Sequence, residues 1–510
     1  VHASEGWIKA PGLAFHRGRQ ASGADEHARL IGDLQEGMPT ERRIRQLRDA
    51  MFAGEKVNTS ENRAAGHWAL RSAVSPSEAM TRALQFAPEG INLIPRMSGM
   101  HAHARDIAER IRSGAMKGAS SAPYRHVIHL GIGGSDVGPR MLIEALRNTP
   151  QDSGIDVAFL SNLDYHAVQH CLSSRQAAET LVVVASKSFA TQETMNNLRH
   201  LLQWMVGAGI AHPEQQVIAI TSRPDMASQW RIPGDQILWF DDSIGGRFSL
   251  WGPVSLTSRI VLGNDPVDTF IRGGLAMDHH FIETQPLSGN LPAVLAATDL
   301  YNLRQRRLPT LMVSAYDSRL SLLVPYLKQL WMESLGKQVD SHGQRLDTPA
   351  CPILWGDIGT NAQHAFFQLL HQGVQGIAIE LIGVLAPEHE ALESHHMLLA
   401  NLVAQAQALS TGQLSDDPQR SCRGGHPVNL VFLDRCDPYS LGSLIALWEH
   451  RVVCLAALTG VNPFDQWGVE FGKSIASAAL ASLRDAEGMQ AKDLDDISKN
   501  IIGWLRERSS

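Results

Sequence analysis

HVIHLGIGGSDVGP, residues 126–139, decides how the middle of this 510-residue chain is read. An apolar run ending at Leu130 gives way at once to Gly131, Gly133 and Gly134, which permit φ > 0 and let a ligand approach the backbone closely. Ser135 then offers a hydroxyl where a helix is expected to start. Strand, glycine turn and helix in that order form one step of a parallel α/β sheet. A dinucleotide fingerprint needs a third glycine at position 136, which is Asp136, so nicotinamide binding is disfavoured. By itself the turn fits a plain strand-to-helix connection equally well.

The same texture recurs on either side. Apolar runs at 127–130, 157–160, 181–185, 217–221 and 237–240 are near-continuous rather than alternating, as expected of strands buried on both faces. A second series at 310–314, 353–355, 377–384 and 429–433 is likewise interleaved with helical stretches. We therefore expect an α/β fold of two doubly wound α/β/α sandwich domains with helical N- and C-terminal extensions. The first hundred residues read as helices and loops. One helix is expected over 41–52, with Ile44, Leu47 and Met51 on its apolar side. The polar, turn-rich stretch 410–427 reads as a surface loop.

The stretch LVVVASKSFATQET (181–194) is more specific than the glycine turn. A buried strand ends at Ala185, and Ser186, Lys187, Ser188 and Thr191 follow within six residues, ahead of a helix running through Glu193. Several hydroxyls and free backbone N–H groups at a helix start suit an anion, whereas capping alone needs one Ser or Thr. Both turns lie at strand ends of one proposed sheet and could face one crevice.

Later segments carry charged groups that are modest when read singly. In DDSIGGRFSLWGPVS (241–255), Gly245 and Gly246 put Arg247 on a tight turn, as a planar donor or as an ordinary surface arginine. In VPYLKQLWMESLGKQVD (324–340), read as a helix, Gln329, Glu333 and Lys337 share a face, fit either to bind a polyol and move a proton or to form a surface ion pair. WGDIGTNAQHAFFQLLHQG (355–373) places His364 on the polar side of a helix capped by Thr360 or Asn361. VNPFDQWGVEFGKSIASAALASL (461–483) has Asn462 as a cap and Pro463 at the first helical position, with Gln466, Glu470 and Lys473 following. Lys473 falls in line with Val469 and Ala476, on the stripe expected to face inward.

Composition removes other classes. The net charge of −7 and the lack of a basic run disfavour nucleic acid or an anionic membrane as partners. No run of 18 apolar residues suggests a membrane span; 377–386 comes closest, and Glu380 interrupts it. VHASEGWIKAPGL at the start has no basic segment followed by an apolar one, so it is not read as a secretory signal. Five scattered cysteines without a Cys-x-x-Cys argue against a disulfide framework or zinc knuckle and for a cytoplasmic location. The pairs His101/His103, His279/His280 and His395/His396 have no recognised metal spacing, and no metal is expected.

Taken together and in this order, GEKVN (54–58), GIGGSDVGP, ASKSFATQET, GGRFSLWGPVS, MESLGK, GTNAQHAF and NPFDQWGVEFGK resemble the glucose-6-phosphate isomerase family, in its bacterial form, over nearly the whole length. Departures are small: Ser188 and Ala190 stand where Thr is common, Leu335 for a common Asn and Ala362 for a common Gly. The resemblance implies two domains of sugar-isomerase type, a small one over 104–260 and a large one over 261–510, with 1–103 as the helical N-terminal part of the large one. It implies the interconversion of glucose 6-phosphate and fructose 6-phosphate in glycolysis and gluconeogenesis, through ring opening and a cis-enediol, with no cofactor. Gly134, Ser135, Ser186, Lys187, Ser188 and Thr191 would then hold the phosphate, and Gln329 and Gln466 the sugar hydroxyls. Glu333 would be the base and Arg247 the stabiliser of enediolate charge, while His364 and Lys473 would assist ring opening. The resemblance also implies a homodimer in which His364 reaches the partner's site. The rivals are an isomerase of another phosphosugar and a sugar-phosphate sensor that has lost catalysis. Such a sensor should lack Glu333 or His364, and both are present.

Overall fold

The computed structural model describes residues 6–19, 32–75, 85–119, 121–147, 152–484 and 494–509. The chain divides into two compact units, Val1–Pro463 and Phe464–Ser510. The first holds two sheets. Its strands are β1 (Trp7–Ala10), β2 (Leu13–Arg19), β3 (His126–Leu130), β4 (Asp156–Leu160), β5 (Thr180–Ala185), β6 (Val217–Thr221), β7 (Ile237–Trp239), β8 (Thr310–Ala315), β9 (Ile353–Ile358), β10 (Ala378–Val384) and β11 (Val428–Leu433).

β3–β7 form a parallel sheet in the order β4-β3-β5-β6-β7. Every residue of β5 and β6 is buried, which is why these runs do not alternate. Val182, Val184, Val217 and Ala219 on one face pack into a cluster with Leu198, Leu201 and Met205 of the helix Gln192–Gly207. The chain winds from β3 to β4 on one side and then returns to β5 on the other. The strand order therefore reverses between β3 and β5, where open α/β sheets form a crevice at the strands' carboxyl ends.

β8–β11 form the parallel part of the second sheet, ordered β1-β2-β11-β10-β8-β9. One face packs Ile379, Leu381, Leu430 and Phe432 with Leu402, Ala406 and Leu409 of the helix Leu392–Thr411. On another side of this region lies the helix Pro438–Thr459, whose Arg451 grips both carboxylate oxygens of Glu380 on β10 and pairs with Asp299. That helix is long and apolar enough to cross a membrane, but 94% of its most apolar 18-residue window is buried in the protein. The stretch 377–386, the closest approach in the sequence scan, is essentially the buried strand β10.

Three expectations need correction here. The first hundred residues are not only helices and loops: β1 and β2 form an antiparallel hairpin that adds to β11. The expected helix at 41–52 is present as Pro39–Phe52, with Ile44 and Met51 buried. The helix carrying Glu333 is Leu323–Leu335 and stops at Gly336, so Lys337 lies beyond it and does not share the face of Gln329 and Glu333. The helix expected from Pro463 starts instead at Trp467. Asn462 is no cap there, because its amide donates to Asn58 Oδ1 and Ser60 Oγ.

The boundaries expected at 103/104 and 260/261 fall inside the helices Ile94–Arg112 and Leu256–Leu262. Residues 1–5 of the segment read for a secretory signal lie outside the described residues. The second unit contains the helices Trp467–Arg484 and Asp496–Ser509.

Candidate active site

The two turns singled out from sequence stand at the carboxyl ends of β3 and β5, which are neighbours, and so flank the reversal point of the small sheet. The first opens the helix Gly134–Leu146, with Ser135 in its first turn. Buried His129 on β3 steadies it, donating from Nε2 to the Ser135 carbonyl at 2.7 Å. Burial first of all, with a smaller contribution from nearby Arg140, pulls the His129 pKa down to about 4. The ring is therefore neutral at pH 7, and its Nδ1 accepts from the Thr257 hydroxyl at 2.7 Å.

The second turn is pinned by β6. The Lys187 carbonyl accepts from Ser222 N–H, Ser222 Oγ and Thr221 Oγ1 at 3.1, 3.0 and 2.9 Å. Ser186 and Thr191 hydroxyls lie 3.0 Å apart, and Thr191 stands at the start of the helix that follows without its side chain capping it. The backbone N–H groups of Lys187 and Ser188 donate to no acceptor among the described residues. These donors, with hydroxyls beside them at a helix start, are what an anion requires.

Arg247 is not a surface arginine. It belongs to the 3₁₀ turn Gly246–Trp251 and its side chain is 1% exposed. Nε donates to Ser334 Oγ at 2.6 Å, Nη1 to Glu333 Oε1 at 2.9 Å and Nη2 to the Pro463 carbonyl. The other oxygen of Glu333 accepts from Gln329 Nε2 at 3.0 Å. Gln329 and Glu333, four apart on one helix, thus meet as their spacing predicts. Three side chains from two regions of the first unit converge there: a buried fixed cation, a carboxylate with 24% exposure and an amide.

The first turn is locked to this cluster by close packing. A Cβ on Gly134 would sit 2.0 Å from the Gly246 carbonyl oxygen, and one on Gly133 would sit 2.7 Å from Gln329 Nε2. Gly133 also has φ of +59°, where L side chains are strained. The two glycines therefore bring the turn at β3 onto both the Arg247 loop and the Glu333 helix.

Three further residues expected at the site lie later in the chain. His364 ends a 3₁₀ turn, Asn361–His364, after β9; it is exposed and has no hydrogen-bond partner among the described residues. The single helix expected to start at Thr360 or Asn361 is instead this turn followed by Phe367–Gln372, and Thr360 makes no side-chain cap. Gln466 and Lys473 belong to the second unit. Lys473 does not face inward: it is exposed, as are Val469 and Ala476 on its stripe, and it pairs with Glu470 at 2.8 Å. Sequence reading missed Ser334, the Pro463 carbonyl and Tyr326, whose hydroxyl donates to the Arg247 carbonyl at 3.3 Å. Ser334 adjoins Glu333, but only the packed structure shows that it faces Arg247.

The family model of phosphoglucose isomerase matches residues 28–502. The chain belongs to the phosphoglucose isomerase family. Within it, the chain is 42% identical over 431 residues to a glucose-6-phosphate isomerase of Rhizorhabdus wittichii, covering 84% of this chain and 81% of that one. It is 40% identical to one of Zymomonas mobilis, covering 89% and 84% respectively. The crystal structure of a glucose-6-phosphate isomerase from Chlamydia trachomatis superposes with a TM-score of 0.84 at 26% identity, over 98% of this chain and 93% of that one. The doubly wound sheets are thus the phosphoglucose isomerase fold.

Proposed function

We propose that this chain is the isomerase its family is named for, interconverting glucose 6-phosphate and fructose 6-phosphate by moving a proton between C2 and C1. The observation that carries this reading is Glu333, held between Arg247 and Gln329 beside an anion-ready crevice. The hydroxyls of Ser135, Ser186, Ser188 and Thr191, the N–H groups of Lys187 and Ser188, and the backbone at Gly134 receive the phosphate. Glu333 takes the proton from C2 of the open-chain aldose, leaving a cis-enediol, and returns it to C1. A carboxylate suits this task because it accepts and gives back the same proton. Arg247, permanently charged and already oriented by three acceptors, stabilises the oxygen on which negative charge develops. Gln329 and Gln466 bind sugar hydroxyls, and His364 and Lys473 transfer protons at the ring and C1 oxygens during ring opening.

The working form is a homodimer, with His364 supplied across the interface. Support comes from the second unit, whose two helices expose Trp467, Phe471, Ile497, Ile501 and Trp504. The small domain spans 104–260 and the large one 261–510 with 1–103. In support, β3–β7 all fall in the first range, and the hairpin β1–β2 joins the large sheet. The enzyme works in the cytoplasm, where free thiols such as Cys171, Cys436 and Cys454 stay reduced.

The test is a coupled assay of fructose 6-phosphate conversion, with chelator present and no added cofactor. Steady formation of glucose 6-phosphate is the expected result. Binding of fructose 6-phosphate without turnover would refute the reading.

A further inference from the structure

Lys187 sits in the middle of the loop after β5, yet its ammonium serves another loop. Nζ donates to the carbonyls of Asp242 at 2.7 Å and Ile244 at 3.2 Å, with Asp242 Oδ1 at 3.8 Å. Those carbonyls belong to the segment that ends in Gly245, Gly246 and Arg247. Other bonds on the segment are mostly local: Asp241 accepts from Ser243 and Ile244 N–H, Gly245 from Phe248 N–H and Gly246 from the Ser249 hydroxyl, while the Ser243 carbonyl accepts from Gly66 N–H. At its far end, Gly246 lies against Gly134 and Arg247 against Glu333.

We propose that Lys187 is a positioning residue that clamps the 242–246 segment to the phosphate loop, so that filling the phosphate subsite steadies Arg247 over the reacting carbons. This deepens the function proposed above and rests on the loop at 186–191 being the phosphate subsite. The clamp assigns the two halves of Lys187 different work. Its side chain holds the neighbouring loop, while its backbone N–H, with that of Ser188, faces the anion's needs. The charged neighbourhood fits a structural lysine rather than a free cation. Burial, together with Arg63, pulls its pKa down, while Asp242, Glu61 and Asp241 pull it back up.

Replacing Lys187 by Met keeps the aliphatic stem and removes the donors. Two readouts separate the clamp from a direct phosphate contact: kcat for fructose 6-phosphate, and the inhibition constant of inorganic phosphate. The clamp predicts that Lys187→Met lowers kcat about tenfold or more while the phosphate inhibition constant shifts less than about threefold. A tenfold rise in that constant, or an unchanged kcat, would overturn it. A wild-type measurement covers the case in which the variant does not fold. Saturating inorganic phosphate should slow amide hydrogen exchange across 242–247, and no change there overturns the coupling. If phosphate neither binds nor inhibits the wild-type enzyme, the subsite reading itself falls. Normal phosphate binding with an insensitive 242–247 segment removes only the clamp.

Discussion

Arg247 and Glu333 come from different sheet regions and meet at 2.9 Å, the arginine fully buried and the carboxylate left partly open to solvent. The asymmetry suits the roles proposed for them. A buried cation with three fixed acceptors cannot reorient, whereas the carboxylate keeps access to whatever enters the crevice. Replacing Glu333 by Gln preserves shape and removes basicity. We expect kcat to fall by about a thousandfold or more, with the Michaelis constant changing only a few-fold, as measured in the coupled assay. Retained turnover would exclude Glu333 as the base.

Ser334 holds the third side of the same guanidinium. Ser334→Ala leaves buried Nε without its 2.6 Å acceptor, which costs about 1–3 kcal/mol in denaturant unfolding. Turnover should fall as well, since Arg247 can then swing. Unaltered stability and unaltered kcat would show the bond to be incidental.

At Gly134 the expected effect is steric. The Cβ of Gly134→Ala would meet the Gly246 oxygen at 2.0 Å, so either the turn or the Arg247 loop must move. A displacement of this kind near the chemistry costs about a hundredfold in kcat/KM. Wild-type activity in Gly134→Ala would mean the two loops tolerate separation.

Protonation of His129 has a definite sign. Its folded pKa of about 4 lies below the ordinary 6.5, so its share of stability is complete above pH 6.5 and is lost as pH falls toward 4. Between pH 7 and pH 5 the stability gap between wild type and His129→Gln should shrink by about 2 kcal/mol. The comparison with the variant is needed because Glu449, raised to about 7, and Asp299, raised to about 6, act in the opposite direction over the same range. Parallel pH profiles for the two proteins would contradict a buried neutral His129.

The homodimer proposed above, with a site shared between subunits, makes a prediction about mixtures. Glu333→Gln and His364→Ala dimers, each inactive, should regain activity on subunit exchange if His364 acts in the partner's site. Exchange confirmed by a labelled subunit, with no recovery, would place His364 outside the reaction.

The nine strands β3–β11 were legible as short apolar runs, most clearly β5, β6, β10 and β11, where burial of every residue leaves the run unbroken. The hairpin β1–β2 was not. Trp7 and Lys9 are exposed beside buried Ile8, and four residues of such alternation carry little periodic signal. The pairing of Gln329 with Glu333 followed from helical spacing, whereas the burial of Arg247 did not, because a Gly-Gly-Arg turn fits a surface equally well. Lys473 shows the converse limit. Its stripe was expected to face inward, yet Val469, Lys473 and Ala476 are exposed, because helical periodicity marks an apolar face without saying what covers it.

The crevice at β3 and β5 and the helix Leu323–Leu335 belong to different sheets, and this division acts as a ruler. In the proposed function one sheet would hold the phosphate of the substrate and the other would present the base. A sugar phosphate would then have to be long enough to place C1 and C2 at Glu333 while its phosphate stays at 186–191. On that assignment chain length is gauged before any hydroxyl is inspected, and shorter phosphorylated sugars are expected to be poor substrates for want of reach rather than of shape.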